Sequence, residues 1–132
     1  MIRAEDLKKT NWQCIHFAPE SNVNAALGDL TNTEFAMFRV NVKDVESEQE
    51  LFARIASEMR FPDYFGSNWD AFDECLRDLE WLPSKGYVLI LDNSTSFWRS
   101  SPQVGGKLIE SWLFVAQEWA LEQTPFHLVF VL

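Results

Sequence analysis

Three short apolar runs limit what this chain can become: residues 35–42 (FAMFRVNV), 87–92 (YVLILD) and 126–132 (FHLVFVL). Each has the length of a strand and carries apolar side chains at successive positions, the pattern of a strand covered on both faces. Gly86 precedes the second run, and Asn93 and Ser94 follow it, so turn-forming residues bound it on either side.

Between these runs the apolar spacing changes to three and four. Leu51, Phe52, Ile55 and Met59 define an amphipathic helix that starts near Ser47 and ends before Pro62. Glu48 and Glu50 near its start and Arg60 near its end complement the helix dipole. Pro62 and Gly66 punctuate the segment FPDYFGSN. Ser67 and Asp70 then stand at the S-x-x-D spacing that caps a helix, which predicts a second helix over 68–81. Ser101 and Pro102 read as the cap and first turn of a third helix. Its apolar positions are Leu108, Ile109, Trp112, Val115, Ala116 and Trp119, it runs to Gln123, and Gly105 and Gly106 weaken its first turn. Strands that alternate with helices pair in parallel through right-handed crossovers. The expected fold class is therefore α/β: a β-α-α-β-α-β core with a three-stranded parallel sheet, in two or three layers. In residues 1–34, WQCIHF reads as an added strand and SNVNAALGDL as a turn or short helix. The chain is read as one domain, 1–132, with an N-terminal extension (1–34) able to contribute a strand and a core (35–132).

With 132 residues, 47% of them hydrophobic, the chain buries enough apolar surface to offset the entropy lost on folding. The N-terminus, MIRAEDLKKT, is charged where a secretion signal needs an apolar run. No stretch approaches the roughly 20 apolar residues that span a bilayer, so the expected compartment is the cytoplasm. Cys14 and Cys75 are far apart and outside any C-x-x-C spacing, which indicates neither a disulfide framework nor a zinc site. Cys14 and His16 alternate along the N-terminal run, but two ligands do not make a metal site, and His127 reads as structural. Cys75 lies among leucines with no base beside it and reads as a core thiol. G-x-S-x-G, H-E-x-x-H and a phosphate-binding glycine loop are all absent. The chain is not expected to be an enzyme or to carry a cofactor or metal.

Net charge is −9, which repels nucleic-acid phosphates and anionic membranes and favours basic partners. Its distribution says more. Residues 61–82 hold Asp63, Asp70, Asp73, Glu74, Asp78 and Glu80 against Arg77 alone. At about 100° per residue, Trp69, Phe72, Cys75, Leu76, Leu79 and Leu82 form one stripe of the second helix. The carboxylates take the other side, with Asp70 and Glu74 one turn apart. Two readings remain open: an ordinary solvated face with Asp70 as a capping carboxylate, or an anionic epitope for a basic cleft.

The run FPDYFGSNWDAFDECLRDL resembles the signature of the barstar family, intracellular inhibitors of secreted bacterial ribonucleases, and the order of elements over 35–132 is similar as well. The resemblance implies that the loop and second helix plug a basic ribonuclease site, carboxylates standing in for substrate phosphates. It assigns Tyr64 to a loop aromatic that packs on the nuclease, with Phe65 beside it. Gly66 and Asn68 match the tight turn, Asp70 an interface aspartate, Glu74 the central inhibitory carboxylate and Glu118 a further contact from the last helix. Three positions depart from barstar itself. Glu74 is one methylene longer than the usual aspartate, Asp73 replaces a tryptophan, and Arg77 puts a positive charge beside the epitope. The implied function is ribonuclease inhibition, and the chain by itself is expected to be a monomer. The alternatives are a protein-interaction or immunity module for a different toxin or other protein, and a hydrolase using Asp70 and Glu74, which requires a concave site.

Overall fold

The computed structural model describes every residue except Asn32. In chain order its elements are a 3-10 turn (Ala4–Lys8), β1 (Ile15–Ala18), α1 (Glu20–Gly28), β2 (Phe35–Asn41), α2 (Glu48–Glu58) and α3 (Trp69–Asp78). They continue with β3 (Gly86–Asp92), α4 (Ser94–Ser100), α5 (Pro102–Leu121) and β4 (Phe126–Val131). All strand pairs are parallel and form one sheet in the order β1-β4-β3-β2. The sheet has four strands where three were expected, because WQCIHF supplies β1 and pairs with β4.

Handedness explains the layering. From β2 to β3 to β4 the chain steps across the sheet in one direction, and from β1 to β2 it returns in the other. Right-handed crossovers in opposite directions lie on opposite faces of a sheet, which places α1 across from α2 to α5 and produces three layers. The side chains follow. Leu89, Leu91, Leu128 and Phe130 enter a core with Phe52, Phe72, Phe97 and Trp112. Their neighbours Val88, Ile90, Val129 and Val131 enter a second core with Ile2, Leu7, Val23 and Leu30. Residues of the 1–34 extension thus cover the face of the sheet that the remaining helices leave open. β3 and β4 are buried along almost their whole length because both their faces are covered, which suits their largely apolar sequences.

Several helix ends differ from expectation. Asn68, and not Ser67, caps α3: its side-chain oxygen accepts the Ala71 N–H at 2.8 Å, while Ser67 takes a left-handed conformation (φ 53°) just before it. α3 stops at Asp78 and not at Trp81, because Leu79 turns left-handed (φ 44°) and ends the helical hydrogen bonding. Ser101 stands at the N-cap of α5, but its hydroxyl donates to the Val45 carbonyl (3.2 Å) and does not cap the helix. α4 was not foreseen, since STSFWRS lacks an apolar period and follows Asn93 in a left-handed turn. Its Trp98 accounts for Gly105, where an added Cβ would come within 2.7 Å of the indole ring. Among the described residues no helix is long and apolar enough to cross a membrane.

Candidate functional site

The loop before α3 is fixed from beneath by aromatic packing. Phe65 makes edge contacts with Phe52 and Phe61, at 5.8 and 5.1 Å between ring centroids. Trp69 packs edge-on against Phe52 at 4.7 Å and against Phe72 at 5.6 Å. Edge-to-face pairs of this kind contribute about 0.5–1.5 kcal/mol each beyond burial. Two hydrogen bonds from the start of α2 add to them: the Trp69 indole N–H donates to Glu48 (2.7 Å), and the Gln49 amide donates to the Ser67 carbonyl (3.1 Å). Loop and helix are therefore held in one geometry before any partner arrives.

α3 separates its faces as the spacing predicted. Phe72, Cys75 and Leu76 are buried, and Leu79 follows them into the core. Asp70, Glu74, Asp78 and Glu80 are exposed. Asp70 and Glu74, one turn apart, form no ion pair among the described residues, so their oxygens are open to a partner. Tyr64 is 65% exposed and its hydroxyl donates to Asp78 Oδ2 at 3.1 Å, which stands the ring beside the acidic face. Gly66 and Asn68 lie in the exposed turn, where Asn68 is the cap and Ser67, not the glycine, takes the positive φ.

Three candidate residues sit differently from the rest. Phe65 is half-buried in the aromatic cluster and acts as an anchor for the loop. Asp73 turns toward α5. Its Oδ1 is buried without a hydrogen-bond partner, and burial raises its pKa, an effect that the nearby Ser111 hydroxyl and the charges of Arg77 and Lys107 only partly offset. Arg77 is already engaged: its Nε lies 3.4 Å from Glu118 Oε2, and its guanidinium sits 5.6 Å from the centroid of the Phe114 ring. The structure therefore brings Asp70, Asp73, Glu74, Arg77 and Glu118 onto one α3–α5 surface, but with Arg77 and Glu118 paired to each other. Phe114, 53% exposed on this surface, was missed by the sequence reading. Its signal was available, since it falls outside the buried period Leu108, Trp112, Val115.

The two histidines pair with each other and the two cysteines are buried. His16 and His127 share a hydrogen bond of 2.8 Å, and His127 Nε2 meets the Lys9 carbonyl at 2.8 Å. Nε2–H of His127 donates to that carbonyl, so its Nδ1 accepts from His16. Burial, with His127 nearby, lowers the His16 pKa to about 4, and burial lowers that of His127 as well. Cys14 and Cys75 are buried thiols; burial raises the pKa of Cys14 to about 11 and also raises that of Cys75, with help from Asp78 and Glu74. Neither has the lowered pKa of a nucleophile. Among the described residues no group of three or more His, Cys, Asp or Glu is arranged to hold a metal ion.

Fold and surface together define a class: a parallel α/β domain that displays an acidic helix, capped by a rigid aromatic loop, on its outside. The comparison with protein families gives that class its family. A family model described as Barstar (barnase inhibitor) matches residues 35–131, more than half of the chain, and the chain belongs to the barstar family. No curated protein matches the sequence.

Proposed function

We propose that this chain inhibits a basic ribonuclease inside the cell by occupying its active site with α3 and the loop before it. The observation that carries the reading is the pair of exposed, unpaired carboxylates, Asp70 and Glu74, one turn apart on a helix held in place from below. Ribonuclease sites gather Arg, Lys and His around the scissile phosphate, and carboxylates form short, charge-assisted hydrogen bonds with such groups. Glu74 is the central group, Asp70 its neighbour, and Tyr64 packs beside them. The chain acts by binding and performs no catalysis of its own. That a buried interfacial aspartate can dominate such a complex is known from the barnase–barstar pair, which serves as the general example of it.

A second reading has one observation in its favour. The Arg77–Glu118 pair lies across the same face and spends both groups on each other, while Asp73 turns inward. A partner shaped otherwise than a barnase-type site, such as a different toxin, would meet Phe114 and this pair directly. Dissociation kinetics separate the two. With a barnase-type ribonuclease, Glu74→Gln is expected to speed dissociation by at least about thirtyfold, since it removes one partner of a desolvated charge pair. An unchanged rate places Glu74 outside the interface and favours the second reading.

A further inference from the structure

Among the described residues, β1 is an edge strand with one side unused. Leu128 donates its N–H to the Cys14 carbonyl, and Leu132 donates to that of Ala18. In the parallel register that pairs Ile15 with Leu128 and Ala18 with Val131, residues 14, 16 and 18 therefore aim their backbone groups at β4. The N–H and C=O groups of Ile15 and Phe17 point the other way, along the free edge. A groove of about 620 Å³ follows this edge, walled by Trp12 and Gln13 on one side and by Ile109 and Leu113 of α5 on the other. Trp12 is 80% exposed and Phe17 is 50% exposed. β1 itself, IHFA, contains neither a proline nor a carboxylate or ammonium that would block pairing.

We infer that β1 pairs edge to edge with β1 of a second copy, antiparallel about a two-fold axis at His16, joining the two sheets into one. Such an axis sets Ile15 opposite Phe17 of the second copy, and Phe17 opposite its Ile15. These are the two residues with free backbone groups. Two outward residues flanking one inward residue form the self-complementary set an antiparallel pair requires: two pairs that each exchange both hydrogen bonds, on either side of a non-bonded pair. Ile15 and Phe17 share a face of the sheet, where Phe17 stacks on Phe130 at 4.9 Å. The junction thus sets an aromatic ring against a β-branched side chain, a favoured cross-strand contact.

The self-complementary set of free backbone groups on Ile15 and Phe17 selects a second copy as the occupant, and charge places the contact at this edge. At −9 per chain, two copies repel over most of their surfaces. The groove holds only Asp6 and Lys9 as formal charges, one of each sign, so this edge is where two copies approach with least repulsion. α5 lies between the edge and the acidic face: its Ile109 and Leu113 line the groove, and its Glu118 meets Arg77 of α3. The dimer leaves both α3 faces free. Only the exposed parts of Trp12 and Phe17 from each copy are left to bury, which is well short of the ~1,200 Å² at which specific interfaces begin. Association is therefore weak and depends on concentration.

Sedimentation equilibrium of the full chain, from low micromolar to near-millimolar concentration, tests this. The mass is expected to rise from 15.3 kDa toward twice that value, and to rise further in high salt, which screens the repulsion. Phe17→Lys, which places a charge on the free edge, and Trp12→Ser, which removes an exposed ring, are each expected to weaken association at least about tenfold. Circular dichroism confirms that each variant is folded. Glu74→Ala, on the far side of α5, dimerises like the unmodified chain, which keeps this test independent of the inhibitor reading. A mass fixed at 15.3 kDa at every concentration overturns the inference, as does a dimer that both edge variants leave unchanged. Amide exchange gives a check free of substitutions: protection of Ile15 and Phe17 that grows with protein concentration supports pairing between copies. Protection that appears only on adding an extended foreign peptide assigns the edge to another partner and overturns it.

Discussion

Asp73 buries a carboxylate oxygen and leaves it without a partner, in the middle of a face whose other acids are exposed. Burial of that side chain raises its pKa, so the folded protein binds a proton there more tightly than the unfolded chain does. Its contribution to stability is accordingly poorest at neutral pH and improves as pH falls through the raised pKa. Asp73→Asn is expected to raise stability at neutral pH by up to about 1 kcal/mol, the side chain being only partly buried. The advantage over the unmodified chain should shrink on acidification, read from urea midpoints at a series of pH values. A difference independent of pH would show that the charge is not the cause. Glu74 and Asp70 were legible from spacing as members of an acidic face, and the role proposed for them rests on the resemblance. The inward turn of Asp73 and the engagement of Arg77 were not legible. Both depend on α5 lying against α3, a contact between residues more than thirty positions apart.

The third helix of the expected core is α5, but an unforeseen short helix, α4, precedes it, and the junction between them shows what periodicity leaves out. α4 is too short and polar to display an apolar stripe, and it is held by packing of Phe97 and Trp98. Gly105 and Gly106 both read as weak points in the first turn of α5, yet their surroundings differ. A Cβ at Gly105 would come within 2.7 Å of Trp98, whereas one at Gly106 meets nothing within 4 Å. Gly105→Ala is expected to destabilise by about 1–3 kcal/mol through overpacking. Gly106→Ala is expected to stabilise by up to about 1 kcal/mol through helix propensity. Opposite shifts in denaturation midpoint, at unchanged slope, check this, and equal shifts would contradict the packing account. At the end of α3 the apolar pattern runs on through Leu79 and Leu82, which is why the helix was expected to reach residue 81. The left-handed turn at Leu79 breaks the backbone while leaving that leucine buried.

For the whole molecule, three of the four strands were legible from their apolar runs; β3 and β4 are buried on both faces as expected, whereas β2 is an edge strand that leaves Arg39 and Asn41 exposed and is only partly covered. β1 was only suggested, since an edge strand of four residues, IHFA, carries little pattern. The order of strands follows once right-handed crossovers are imposed, and it gives residues 1–34 a structural task, covering the second face of the sheet. Concentration of charge on one side has a kinetic consequence. With a basic ribonuclease, association should be fast at low salt and slow steeply as ionic strength rises, because steering acts over about a Debye length, ~10 Å at 0.1 M. Stopped-flow rates over a salt series check this; a flat series would remove steering from the account. The central claim, that the carboxylates of α3 block a ribonuclease site, is tested most directly by titrating the chain into a barnase-type enzyme while following RNA cleavage. The account predicts that cleavage stops at one inhibitor chain per enzyme, and that the doubly substituted Asp70→Asn, Glu74→Gln chain no longer stops it at that ratio. Cleavage that continues unchanged at excess inhibitor, or that the double variant blocks equally well, would contradict it.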